Sequence, residues 1–344
     1  MPELSAVVGE GLEAPHGVKV CIVGAGAIGS LIGARLAATG HVSVAALARG
    51  ATLQALREHG WRLQGEDGSL IHAPVQASDR AQDLGPQDVV IIAVKGPALS
   101  GIAATLGPLL GPDTLILPAM NGVPWWFCQG WLGFEAGLPS VDPGGVIAHK
   151  LPFSKVLGCV VHASSAVLEP GLVKHIKGRE LIIGEPGGGA SGRAAALAQL
   201  LQLAGFEARV SDNVRRDIWF KLWGNLTMNP LSAVTGATVD RILADPLLRS
   251  FCSAAMDEVA GVGARIGCEI DQNPEDRHAL TARLGAFKTS MLQDVEAGKP
   301  LELDAIVAAV RDVAQVLGLQ TPHVDALFGI ARLFARTKGL YPHE

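Results

Sequence analysis

The sequence predicts an α/β fold: a doubly wound parallel sheet in the N-terminal half, then an all-helical C-terminal domain. Three observations predict it. Short apolar runs alternate with helix-patterned stretches from Val18 to Ser164. A glycine-rich turn, Gly24-Ala25-Gly26-Ala27-Ile28-Gly29, joins the first apolar run to the first helix pattern. From Val214 onward the pattern is helical almost to the end, with few strand signals.

Taken in order, Val18 to Val23 reads as a buried strand and Ile28 to Thr39 as the helix after the turn. G-x-G-x-x-G between a strand and a helix lets the backbone approach a pyrophosphate, which the free N–H groups and positive dipole end of the helix then hold. Six residues alone are a weak signal in a chain with 42 glycines; the strand before and the helix after make it a strong one, of Rossmann type. Further strands are predicted at Val42 to Leu47, Val89 to Val94, Thr114 to Leu117 and Val156 to Ser164, and helices at Ala51 to His59 and Pro97 to Leu110. A hairpin-like excursion, Trp61 to Val75, turns at Glu66-Asp67-Gly68. The Gly/Pro-rich pieces Asp142 to Gly145 and Gly184 to Gly192 read as loops. Near the end, Ile306, Val307, Val310, Val313 and Leu317 share one face of a helix over Leu303 to Leu317, which must pack on a core. The expected organisation is a disordered extension at 1–17, a dinucleotide-binding domain at 18–211 and a helical substrate and catalytic domain at 212–344.

Composition narrows the function. A hydrophobic content of 49% with 18% charged residues describes an ordered globular chain, and 344 residues suffice for two cores. The net charge of −5 gives no basic footprint, so no nucleic-acid partner is expected. No window holds the ~20 unbroken apolar residues that a membrane helix needs; Val89 to Leu110 comes nearest, interrupted by Lys95, Pro97 and Pro108. Residues 1–17 lack a basic stretch followed by an apolar core, so a cytoplasmic location without a signal peptide is expected. The 5 cysteines are scattered without a C-x-x-C pair and read as reduced, buried thiols. The 10 histidines show no ligand spacing, and no metal is expected. His149, His162 and His175 read as structural or surface residues.

The end of the second strand bears on the choice of dinucleotide. NAD-binding units place Asp or Glu about 20 residues after the first glycine, on the ribose 2′-hydroxyl. Val42 to Ala48 contains no acid, and the first charged residue is Arg49. A guanidinium there suits a 2′-phosphate; an exposed surface arginine is the plain alternative. Lys95, past the strand Val89 to Val94, adds a second positive charge at the same edge.

The helical half carries a second constellation. Lys221, Asn225 and Asn229 lie four apart and share one helix face, amid Trp219, Phe220, Trp223 and Met228. A lysine and two amides in apolar surroundings are costly to bury without partners; the alternative is a polar face in water. Pro230 is expected to bend or stop the helix at Asn229. Asn121-Gly122 follows the fourth strand at the edge where open parallel sheets bind ligands, and reads equally as a turn. Ser290 opens Ser290-Met291-Leu292-Gln293-Asp294, and Glu302 sits between Leu301 and Leu303, where an acid also favours a helix N-terminus.

Together these pieces resemble the ketopantoate reductases (2-dehydropantoate 2-reductases) from Val18 to about Lys338. The motifs are the glycine turn, Arg49, Ala93-Val94-Lys95, Asn121-Gly122, Lys221-x3-Asn225-x3-Asn229-Pro230, Ser290 to Asp294 and Glu302. The resemblance implies NADPH-dependent reduction of 2-dehydropantoate to pantoate, in pantothenate biosynthesis. It implies that Lys221 is the proton donor and Glu302 a catalytic group hydrogen-bonding near cofactor and substrate. Gly24, Ala25, Gly26, Ala27, Ile28 and Gly29 would hold the diphosphate, Arg49 and Lys95 the 2′-phosphate. Asn121 would sit between substrate and nicotinamide, and Asn225, Asn229 and Ser290 would hold the substrate's carboxylate and hydroxyls. The partner is then a small 2-oxo acid, and the helical domain could support a homodimer. This chain departs from the family at Ala237-Thr238-Val239, at Phe287, after Glu302, and in an added stretch, Trp125 to Gly145, with three tryptophans. Apolar residues replace polar ones there. Two alternatives stay open: an NADP-linked dehydrogenase of a more apolar 2-hydroxy acid, and a dinucleotide sensor without turnover.

Overall fold

The computed structural model describes residues 17–283 and 285–343. Apart from Gly17, the extension expected at 1–17 lies outside the described residues. The strands, in chain order, are β1 (Val18–Val23), β2 (Val42–Leu47), β3 (Trp61–Gln64), β4 (Leu70–Ala73), β5 (Gln76–Ser78), β6 (Gln87–Ile92), β7 (Leu110–Pro118), β8 (Gly158–Glu169), β9 (Leu172–Gly184) and β10 (Glu207–Ser211). The chain divides into two compact units. The first runs to Met120 and resumes from Val146 to Val214; the second comprises Asn121–Gly145 and the chain from Arg215.

The first unit is built on a five-stranded sheet of order β5-β2-β1-β6-β7. Every pairing in it is parallel. The last four residues of β1, β2 and β6 are all buried, the signature of strands covered on both faces. Strand order reverses at β1, whose carboxyl end carries the glycine turn, the position where such sheets bind ligands.

A second sheet runs β10-β9-β3-β4, with β8 antiparallel to β9. The hairpin expected around Glu66 to Gly68 is β3 and β4. The sequence pattern pointed to only the start of β8. It missed β9 and β10 because β9 is exposed and polar through Ile176 to Arg179, which breaks the apolar run. The helix Ala27–Ala38 packs against strands of both sheets. It is therefore apolar nearly all round rather than amphipathic, with Leu31, Ile32, Ala34 and Leu36 buried. The helix expected over Pro97 to Leu110 ends at Ala103, and β7 starts at Leu110. Pro108 disfavours helical geometry at Gly107 and leaves only a short 3-10 turn, Gly107–Leu109.

The second unit is helical. Its helices are Val214–Thr235, whose first residue belongs to the first unit, then Val239–Ala244, Pro246–Arg265, Pro274–Ala282, Ser290–Glu296, Ala309–Val316 and Pro322–Thr337. Two expectations change here. First, the stretch 121–145 leaves the span 18–211 and packs with the helices. Trp125, Trp126 and Phe127 are buried, and the Phe127 ring stacks on Trp219 with centroids 5.8 Å apart. The Arg215 guanidinium lies 4.4 Å from the Trp131 ring centroid and donates to the Gln129 carbonyl at 2.7 Å. Second, of the bend or stop expected at Asn229, the stop does not occur: the helix runs through Pro230 to Thr235. Leu226, Thr227, Met228, Asn229, Leu231, Ser232 and Ala233 are all buried, so burial on both sides of Pro230 outweighs the lost N–H. The face Ile306, Val307, Val310 and Val313 is buried as expected, but its first part, Asp304–Ala308, is a π-helical turn. No helix among the described residues is long and apolar enough to cross a membrane.

Candidate active site

The glycine turn has the shape a dinucleotide requires. Gly24 adopts φ +94°, and a Cβ there would stand 2.6 Å from Val94 Cγ1. At Gly26 a Cβ would meet nothing within 4 Å, so the backbone lies open to an approaching group. At Gly29 a Cβ would come within 2.0 Å of the Gly24 carbonyl oxygen, so only glycine lets helix and turn close on each other. Turn, open approach and close packing are the three jobs of this motif. The Ser30 hydroxyl donates to the Ala25 carbonyl at 3.0 Å and fixes the loop from inside. Gly26 offers no side-chain cap, which leaves the first-turn amides of Ala27, Ile28 and Gly29 for a ligand. The residues present therefore fit a bound diphosphate.

Arg49 and Lys95 occupy equivalent places. Each follows a parallel strand and serves as N-cap residue of the next helix, Gly50–His59 and Gly96–Ala103. Arg49 is exposed and Lys95 half-buried. No acid lies between β2 and Arg49.

In the second unit, Lys221 Nζ donates to Asn121 Oδ1 at 2.8 Å. The two residues are a hundred positions apart, joined because 121–145 packs on the helix that carries Lys221. Asn225 is half-buried and Asn229 is 5% exposed, one and two turns further along the same face. Gly122 adopts φ +79°, and a Cβ there would lie 2.5 Å from the Ala305 carbonyl oxygen. The Val123 N–H donates to that same oxygen at 2.8 Å. Asn121 is thus seated on the π-helical turn, where such irregularities often serve function.

Glu302 lies one turn before Ala305, 9% exposed between buried Leu301 and Leu303, and its carbonyl accepts from the Ile306 N–H at 3.2 Å. Burial pushes the Asp304 carboxyl up, and the Tyr341 hydroxyl donates to it. Ser290 is the first residue of its helix and exposed; the neighbouring Thr289 caps that helix, accepting from the Leu292 N–H at 3.1 Å. The structure therefore joins Lys221 directly to Asn121, and the two residues after Asn121 meet the Ala305 carbonyl one turn beyond Glu302. Ser290 makes no hydrogen bond to this group among the described residues. The role of Gly122 was missed in the sequence, where Asn121-Gly122 looked the same as any turn dipeptide.

Comparison with known proteins identifies the family. Residues 20–188 match the family Ketopantoate reductase PanE/ApbA, and residues 213–335 match its C-terminal part. A 2-dehydropantoate 2-reductase from Mesorhizobium japonicum is 40% identical over 94% of this chain and 100% of its own. Among solved structures, a chain from Ralstonia solanacearum MolK2 assigned to the ketopantoate reductases is 54% identical, with TM-score 0.89 over 94% of this chain and 99% of that one. A 2-dehydropantoate 2-reductase from Geobacter metallireducens is 28% identical, with TM-score 0.80 over 92% of this chain and 99% of its own. A D-mandelate dehydrogenase solved with NADH and anilino(oxo)acetate shares the fold at 22% identity, TM-score 0.79, over 94% and 100%. The chain belongs to the ketopantoate reductase family, oxidoreductases that act on a CH–OH group with a nicotinamide dinucleotide.

Proposed function

We propose that the protein reduces a 2-oxo acid to the 2-hydroxy acid with NADPH, 2-dehydropantoate to pantoate in the first instance, as a cytoplasmic step of pantothenate biosynthesis. The observation that carries this reading is the Lys221–Asn121 hydrogen bond of 2.8 Å, at the head of a stripe continued by Asn225 and Asn229. When bound, the nicotinamide supplies a hydride to the ketone carbon. Negative charge then grows on the carbonyl oxygen, and the Lys221 ammonium stabilises it and delivers the proton. Asn121 fixes the direction of the lysine chain. Asn225, Asn229 and Ser290 hold the carboxylate and hydroxyls of the substrate, and Glu302 orients groups around Asn121. The diphosphate rests on residues 24–29, and Arg49 with Lys95 takes the 2′-phosphate.

A second reading is favoured by Phe287, which is 40% exposed three positions before Ser290. An exposed ring beside a substrate-holding residue suits a more apolar acid than 2-dehydropantoate. One experiment covers both: NADPH consumption with 2-dehydropantoate and with aliphatic and aromatic 2-oxo acids, for wild type and Lys221→Ala. Turnover of 2-dehydropantoate above the others, abolished in Lys221→Ala, supports the first reading. Preference for an aromatic acid supports the second. Silence with every acid while NADPH still binds leaves a dinucleotide sensor and removes both.

A further inference from the structure

The helix Pro274–Ala282 lays Arg277 across Gly224, on the helix that carries Lys221 and Asn225. A Cβ at Gly224 would stand 2.6 Å from Arg277 Nη2, 2.8 Å from Nε and 3.1 Å from Cζ, so the guanidinium rests on bare helix backbone. The same group lies 5.2 Å from the Phe220 ring centroid. Aromatic contact is its main neighbour: among the described residues no hydrogen bond or ion pair engages the guanidinium, and its buried Nε has no partner. The acids beside it on its own helix are committed elsewhere, Glu275 to Arg249 and Asp276 to Asn273. Burial alone moves its pKa, downward, and no opposite charge counters that effect. Arg277 is half-buried, and a cation partly withdrawn from water without an acceptor is costly and is ordinarily paired.

Gly224 lies three positions after Lys221 and one before Asn225, so the guanidinium borders the polar stripe within one helical turn of the lysine. The group matching a planar five-donor fork is a carboxylate, taken bidentately. Every 2-oxo acid carries one beside its ketone, and a 2-oxo diacid carries another at its far end. We propose that Arg277 is the carboxylate anchor of the substrate site, and that Gly224 is glycine so that the guanidinium can lie flat there. This rests on the reductase reading. It also sets a cation against the carboxylate that Asn225, Asn229 and Ser290 meet with neutral groups, while Lys221 serves the ketone oxygen.

The test compares a 2-oxo acid with its neutral methyl ester and with a 2-oxo diacid, in wild type, Arg277→Met, Arg277→Lys and Gly224→Ala. In Arg277→Met, KM for the acid rises at least tenfold, KM for the ester changes less than twofold, and NADPH affinity is unchanged. Gly224→Ala shows the same acid-selective loss. Arg277→Lys keeps the charge without the fork and falls between, and it serves if the methionine variant does not fold. Loss for monoacid and diacid alike assigns the carboxylate beside the ketone; loss for the diacid alone assigns the distal one. Acid and ester rising together, or no rise for monoacid or diacid, overturns the anchor while wild-type turnover keeps the reductase. A wild type that neither reduces any 2-oxo acid nor binds oxamate in calorimetry with NADP overturns both.

Discussion

Lys221 Nζ and Asn121 Oδ1 meet at 2.8 Å. An amide oxygen takes one of three ammonium hydrogens and adds no charge, so it orients the lysine without holding its proton as a carboxylate would. Asn121→Asp places an opposite charge at that distance and favours the protonated lysine. The alkaline limb of the kcat profile then moves up by about one pH unit, and the rate at neutral pH falls. Asn121→Ala frees the chain and lowers kcat by about 10- to 100-fold, less than the ~100- to 10,000-fold of losing the general acid itself, because Lys221 remains. A pH–rate series on the two variants checks both; an unmoved limb in Asn121→Asp would separate this bond from proton transfer.

Gly122→Ala must accommodate a methyl group 2.5 Å from the Ala305 carbonyl oxygen in a left-handed conformation. The turn is expected to shift, break the Val123–Ala305 hydrogen bond and carry Asn121 away from Lys221. The cost is ~2 kcal/mol of stability, with a fall in kcat as large as that of Asn121→Ala. Urea unfolding beside steady-state kinetics separates the two effects. A variant that loses stability but keeps full kcat shows that the turn holds the fold only.

Gly29→Ala puts a methyl group 2.0 Å from the Gly24 carbonyl oxygen. Helix and turn separate, and the diphosphate loses its amide cradle. Affinity for NADPH and NADH falls equally, by at least about tenfold, for lack of anion contacts shared by both. Fluorescence titration measures it.

Arg49→Ala has the complementary signature. It weakens NADPH by about tenfold, the scale of one charge-assisted contact of ~1.5 kcal/mol, and leaves NADH unchanged. Equal loss for both cofactors would place Arg49 away from the 2′-phosphate.

His278 is buried, with Nε2 3.0 Å from the Ser253 hydroxyl. Burial chiefly lowers its pKa; Glu275 opposes that shift and Arg249 adds to it. The unfolded chain, with an ordinary histidine near 6.5, therefore binds this proton more readily than the folded one. Stability from the neutral ring is complete above pH ~6.5 and is lost as pH falls through the lower folded value. His278→Gln should flatten the slope of unfolding free energy between roughly pH 7 and 5. An unchanged slope would mean that the ring does not titrate across this window.

Periodicity alone located most of the parallel sheet, because β1, β2 and β6 are buried on both faces and read as unbroken apolar runs. The glycine turn was legible for the same local reason: its three glycines do their work within a few residues of one another. Lys221, Asn225 and Asn229 were legible as a stripe, since four-residue spacing is a helix property. The partnership of Asn121 with Lys221 had no local signature. It depends on 121–145 leaving one unit for the other, a matter of where Trp125, Trp126 and Phe127 find apolar neighbours. The passage of the helix through Pro230 was illegible because local backbone preference pointed one way and burial on both sides of it the other. Arg277 was invisible for a simpler reason: nothing beside it in the chain hints at Gly224.

The path of the chain through its two units also limits how the protein can be divided. Because 121–145 belongs with the residues after 214, the polypeptide passes from one unit to the other three times. Cleavage at a single peptide bond near 214 would strand the tryptophan-rich stretch on a fragment without the helices that cover it, leaving a sticky aromatic surface. A soluble dinucleotide-binding fragment would instead need that stretch excised and Met120 spliced to Val146.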